Sequence, residues 1–111
     1  MKFEFLEIYD IIAPDIDSVR EYICGHFDML VVLDRISEKI RNVFPSLQYQ
    51  VSLEMFFNPE SEDKYLTFYI RHENYPDNIK NLISSIYNEE MYCFINRGFG
   101  VLITTDFEKP I

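Results

Sequence analysis

The chain has no tryptophan, a single alanine (Ala13), three glycines and two cysteines, and its 10 Lys and Arg face 19 Asp and Glu. Each shortage excludes something. Binding duplex phosphates needs clustered basic side chains that release counterions, and at a net charge of −9 no such cluster exists. Direct nucleic-acid binding is therefore not expected, and anionic membrane surfaces repel the chain. Cys24 and Cys93 show neither C-x-x-C nor Cys/His spacing, so they read as buried, reduced thiols of a cytosolic protein. No long apolar run is present: MLVVL is far too short to span a bilayer. The start, MKFEFLEIYD, lacks the basic-then-apolar order of a signal peptide. The expected location is the cytoplasm. Few alanines beside many Ile, Asn, Phe and Tyr point to an AT-rich genome and carry no function.

What is present is a core. Of the 111 residues 48 % are hydrophobic and 16 % aromatic, which argues against disorder. A chain of this length fits one domain, residues 1–111. Its acidic surface suits a basic protein partner, or simply maintains solubility.

Residues 1–17 are ambiguous. Phe3 and Phe5 alternate like a strand, whereas Phe5, Ile8 and Ile12 are spaced like a helical face. Ala13-Pro14 ends either element. Ser18 followed by Glu21 matches a capping box and predicts a helix start. Gly25 weakens the middle, which leaves one bent helix or two consecutive ones. Met29, Leu33, Ile36, Ile40 and Val43 or Phe44 then form an apolar stripe at helical steps, with Asp34, Arg35, Glu38, Lys39 and Arg41 opposite.

Residues 48–107 read as a hairpin, a helix and a strand. Tyr49, Val51, Leu53, Met55 and Phe57 alternate with polar neighbours, and Leu66, Phe68 and Ile70 do so on the return. One shared apolar face requires Met55/Leu66, Leu53/Phe68 and Val51/Ile70 pairs, joined by an acidic loop of about six residues. Pro76-Asp77 opens a helix whose stripe is Ile79, Leu82, Ile83, Ile86 and Tyr87. That stripe extends in phase through Met91 and Phe94; a strand over Met91 to Ile95 is the competing reading. Val101 to Thr104 form the last strand. The predicted fold is α+β, a two-layer sandwich in αββαβ order with helices on one face of a small, mainly antiparallel sheet. The guessed strand order is 2-1-3, with the last strand beside the first.

Helices can bury only one side of such a sheet. The other side carries Glu54, Phe56, Tyr65, Tyr69 and Arg71, joined by Asp106 if the last strand is in phase. These six are the candidate binding residues. A carboxylate, a guanidinium and tyrosines on a rigid surface could hold a small polar ligand, whereas exposed aromatics are the types that anchor protein interfaces. In the predicted register Glu54 faces Thr67 and Arg71 faces Gln50, which puts Glu54 and Arg71 too far apart to pair. His26 and His72 have no spaced partner ligands, so no metal is expected, and His72 reads as a strand-end histidine bonded locally. No catalytic residue is assigned: G-x-S-x-G, the P-loop and G-x-G-x-x-G are all missing, and no cofactor is expected. Glu60-Ser61-Glu62-Asp63 lacks the glycine and ligand ladder of an EF-hand, and reads as a solvated hairpin tip.

"YQVSLEMFFNPESEDKYLTFYIRHENYPDN" followed by "GVLITTDF" resembles a pattern of small prokaryotic proteins of unassigned function, over about residues 48 to 107. That pattern joins an S-L-E strand, an acidic hairpin with a proline, a Y-L-x-x-Y-x-R strand, a helix and a T-T-D-F strand. The resemblance brings no activity or ligand with it. It implies Ser52, Leu53, Glu54, Tyr69, Arg71, Thr104, Thr105 and Asp106 as the positions to test. The expected function is an acidic protein-interaction module that meets a partner, possibly basic, or its own copy as a homo-oligomer through the outer sheet face. The alternative is a small-molecule-binding domain or hydrolase-like enzyme using Glu54, Arg71 and Asp106.

Overall fold

The computed structural model describes residues 3–26, 28–61, 64–87 and 101–111. The ambiguous N-terminal segment contains both elements in turn: a one-turn helix α1 (Glu4–Ile8) and a two-residue strand β1 (Ile11–Ile12). Phe3 and Phe5 are buried at its start, and Asp10 turns the chain with φ 53°, a left-handed conformation that aspartate tolerates. Helix α2 (Ile16–Cys24) begins one turn before the predicted capping box. Asp15 is the cap and accepts the Ser18 N–H at 3.3 Å, while the Ser18 hydroxyl donates back to Asp15 at 2.7 Å. The chain then leaves the helix at Gly25 and starts α3 (Met29–Val43), so two helices stand where a bent one was possible. Cys24 is exposed, which corrects the expectation of a buried thiol; Cys93 lies outside the described residues.

Every residue of the predicted α3 stripe is in the core, with Met29, Leu33, Ile40 and Phe44 fully buried. The hairpin strands β2 (Gln50–Phe57) and β3 (Lys64–Arg71) pair antiparallel with Val51↔Ile70, Leu53↔Phe68 and Met55↔Leu66, the register that the alternation demanded. Helix α4 (Ile79–Ser84) is shorter than predicted, although Ile79, Ile83 and Ile86 are all buried. The predicted continuation through Met91 and Phe94, and the competing strand, lie outside the described residues. Strand β4 (Val101–Thr104) closes the described structure.

The result is an α+β fold with a four-stranded mixed sheet in the order β1-β2-β3-β4. The predicted 2-1-3 order and mainly antiparallel sheet are corrected by it. The free edge of β2 is taken by β1, running parallel, so β4 pairs with β3, also parallel, with Phe68↔Ile103 in register. The Ile103 N–H donates to the Tyr87 hydroxyl at 2.8 Å and its carbonyl accepts from that hydroxyl at 3.0 Å. A phenol thus bonds both ladder groups of Ile103 at the edge of the sheet formed by the described strands. Val51, Leu53, Leu66, Phe68, Ile70, Val101 and Ile103 lie on one face of the sheet and share one core with α2, α3 and α4. The alternate residues of each strand form the other sheet face.

Arg41, which sequence patterning placed on the solvated side of α3, is a fastening. Its Nε donates to the Tyr9 carbonyl at 2.7 Å and its Nη2 to that of Asp10 at 2.7 Å. Its Nη1 reaches the carbonyls of Phe44 (3.1 Å) and Tyr49 (2.8 Å). Partial burial lowers its pKa, opposed by the Asp10 charge. One guanidinium therefore ties the α1–β1 turn to the α3–β2 connection, where orphan helix-end carbonyls need donors.

Candidate functional site on the outer sheet face

The outer face is built from alternate residues of three strands. Glu54 sits in the middle of β2, Tyr69 and Arg71 at the end of β3, and Asp106 two residues beyond β4. Register places Glu54 opposite Thr67 and Arg71 opposite Gln50, as expected. Yet Arg71 Nη1 and Glu54 Oε2 are 3.0 Å apart, a correction to the expectation that they cannot pair. The backbone argument neglected side-chain length and direction. Arg71 does not stand upright: its guanidinium carbon lies 4.9 Å from the Tyr69 ring centroid, so the side chain runs back along β3 over that ring. Glu54 bends towards it, and the same Oε2 accepts the Ser52 hydroxyl at 2.8 Å.

Asp106 completes the network with a two-pronged contact. Arg71 Nη2 donates to Oδ2 at 2.8 Å and Nε donates to Oδ1 at 3.3 Å. Oδ1 also accepts the Glu108 N–H at 3.0 Å, which folds the chain after β4 into a local turn. From there Phe107 packs edge-on against Tyr75 at 5.3 Å, the Tyr75 hydroxyl bonds the Glu108 carbonyl, and Ile111 exchanges two backbone bonds with the Gln50 side chain. The segment after β4 thus crosses the end of β3 to reach β2.

Arg71 is only 6 % exposed, whereas its two carboxylates keep 28 and 32 % of their side-chain surface in water. Burial alone lowers the arginine pKa, but the hydrogen bonds to Asp106 and Glu54 outweigh it and the net shift is upward. The same bonds from Arg71 hold the Asp106 carboxyl below its ordinary value, against a smaller push from burial. Tyr69 is raised, first by burial and then by the charges of Glu54 and Asp106, so its phenol stays protonated at neutral pH.

The remaining candidates lie further up the same face. Phe56 and Tyr65 are directly opposite each other and their rings stack with centroids 6.4 Å apart. Phe56 and Leu102 are 42 and 38 % exposed, while Ser52 and Thr67 between the strands are buried. Four of the six sequence candidates (Glu54, Tyr69, Arg71, Asp106) thus touch one another or share partners, and Phe56 with Tyr65 forms a separate aromatic pair. Leu102 and Arg41 were not found from the sequence; Leu102 needed the phase of β4, and Arg41 carried no local signal. His72 behaves as expected, its Nδ1 accepting the Asn74 N–H at 2.8 Å and its ring lying 4.6 Å from Tyr49. Among the described residues no three His, Cys, Asp or Glu side chains are grouped to hold a metal ion, and no helix is long and apolar enough to cross a membrane. No protein-family model, no curated protein and no solved structure matches the chain.

Proposed function

We propose that this chain is a single-domain, acidic interaction module that contacts a protein partner or a second copy through its outer sheet face, acting in the cytoplasm. One observation carries the reading: the apolar Phe56 and Leu102 stay exposed on a face whose polar centre is already internally bonded. Exposed apolar residues beside an internally bonded polar centre suit an interface better than a solvated sheet face. Hydrolase-like chemistry is the weaker reading of the same cluster. Glu54, Arg71 and Asp106 do converge, but Arg71 spends three N–H groups on the two carboxylates, and the lowered Asp106 pKa unfits it as a general acid.

The test compares wild-type protein with Phe56→Asp and Leu102→Asp by light scattering and by cross-linking in native lysate. Loss of self-association or of one defined cross-link in both variants, with unchanged circular dichroism, is expected. Association that survives both substitutions, or none in the wild type, overturns the reading.

A further inference from the structure

We infer that the occupant of the outer face is a different, cationic protein, and that an arginine of that partner, flanked by apolar residues, lands on Glu54. This rests on the interaction reading above and decides between its two occupants. The central cluster has one positive group and two negative ones, so it retains one excess negative charge while the whole chain stands at −9. Both Asp106 oxygens are engaged: Oδ1 accepts from Arg71 and Glu108, and Oδ2 from Arg71. Glu54 receives both Ser52 and Arg71 on Oε2, and its Oε1 has no hydrogen bond among the described residues. Glu54 Oε1 is therefore the carboxylate oxygen of this cluster that is left to accept from outside, among the described residues.

A second, independent feature lies beside it. Thr67, directly opposite Glu54 and only 1 % exposed, has a hydroxyl with no hydrogen-bond partner among the described residues. A buried hydroxyl left unbonded is costly and calls for a donor or acceptor from elsewhere. A guanidinium offers parallel N–H groups that can bond Glu54 Oε1 and, as Glu54 swings towards it, the Thr67 oxygen beneath. A second copy fits poorly. A two-fold contact brings the same acidic patch to itself, and Arg71, the arginine of this face among the described residues, is already committed to Glu54 and Asp106. An anion fits poorly for the same reason. A free polyamine would satisfy the charge but leave Phe56 and Leu102 in water.

The test follows amide shifts of the labelled protein by nuclear magnetic resonance during titration with an acetylated, amidated Leu-Arg-Leu tripeptide. Leu-Gln-Leu and spermidine are the comparison probes. Shifts concentrated at Glu54, Thr67, Tyr69 and Leu102 are expected with the arginine peptide alone. Glu54→Gln should weaken them about fivefold, the scale of a partly exposed ion pair, and Asp17→Asn should not. Equal binding of Leu-Gln-Leu at this face overturns the cationic partner while leaving the interaction reading standing. Equal binding of spermidine there assigns a polyamine instead, and shifts spread over the acidic surface overturn the site. Failure of the interaction reading itself is read separately, from the Phe56→Asp and Leu102→Asp association data.

Discussion

Replacing Arg71 by methionine tests whether the outer-face network organises the sheet or merely decorates it. Methionine keeps most of the volume and removes three N–H donors, two to Asp106 and one to Glu54. Removing one partner from a buried ion pair costs roughly 3–5 kcal/mol, because the remaining charge is stranded. Here the stranded groups are carboxylates with about a third of their side-chain surface already in water, 28 and 32 %, so resolvation places the loss near the lower end. The expected loss is about 3 kcal/mol, a large share of the roughly 5–15 kcal/mol that holds a domain folded. For a chain of this length that is a drop in Tm of roughly 10–20 °C. Urea unfolding followed by circular dichroism measures it, with the m-value unchanged if the unfolded state is unaffected. Glu54→Gln alone should cost only about 1 kcal/mol, since the Asp106 contact remains. A loss below about 1 kcal/mol for Arg71→Met would refute the reasoning, and would mean that the network is solvated like an ordinary surface pair.

Acid sensitivity follows from Asp106. Its folded pKa is depressed, so its contribution is fully present above the unfolded carboxylate value of about 3.9 and fades as pH falls through the folded value; Asp106→Asn should flatten the urea midpoint between about pH 5 and 2. Arg41→Ala removes four bonds to backbone carbonyls and should cost about 3 kcal/mol, with Arg41→Lys recovering only part, measured by thermal unfolding. Cys24 is exposed and should react with a thiol reagent in the native state, and Cys24→Ser should remove one equivalent of that reaction. The raised Tyr69 phenol should ionise above the usual tyrosine range, so Tyr69→Phe should remove a late step from the ultraviolet alkaline titration.

The hairpin was legible residue by residue because its signal is local. Alternation fixes which side chains share a face, and a one-residue slip would turn Val51, Leu53, Phe68 and Ile70 into water. The α3 stripe was legible for the same reason, with a period of 3.6 instead of two. The outer-face candidates followed as the complement of the core face. What failed were inferences about what lies beside what. Sheet order turned on the two residues Ile11 and Ile12, a strand too short for any periodicity to reveal, which occupy the edge of β2 and send β4 to β3. The Glu54–Arg71 pair was missed because Cα register ignores a long side chain lying along its own strand over Tyr69.

The sequence by itself thus determined the α+β class, the hairpin register, the core stripe of α3 and the acidic character of the chain, while Phe57, placed by alternation on the core side, is 51 % exposed. These depend on periodicity and composition, which are properties of near neighbours. Only the tertiary structure decided that Arg71 gathers Glu54 and Asp106, that Arg41 fastens four carbonyls, that Tyr87 bonds the ladder groups of Ile103, and that the Thr67 hydroxyl is buried without a partner among the described residues. Each joins residues from different elements, or turns on what those elements cover, and no pattern within one element encodes where another will pack.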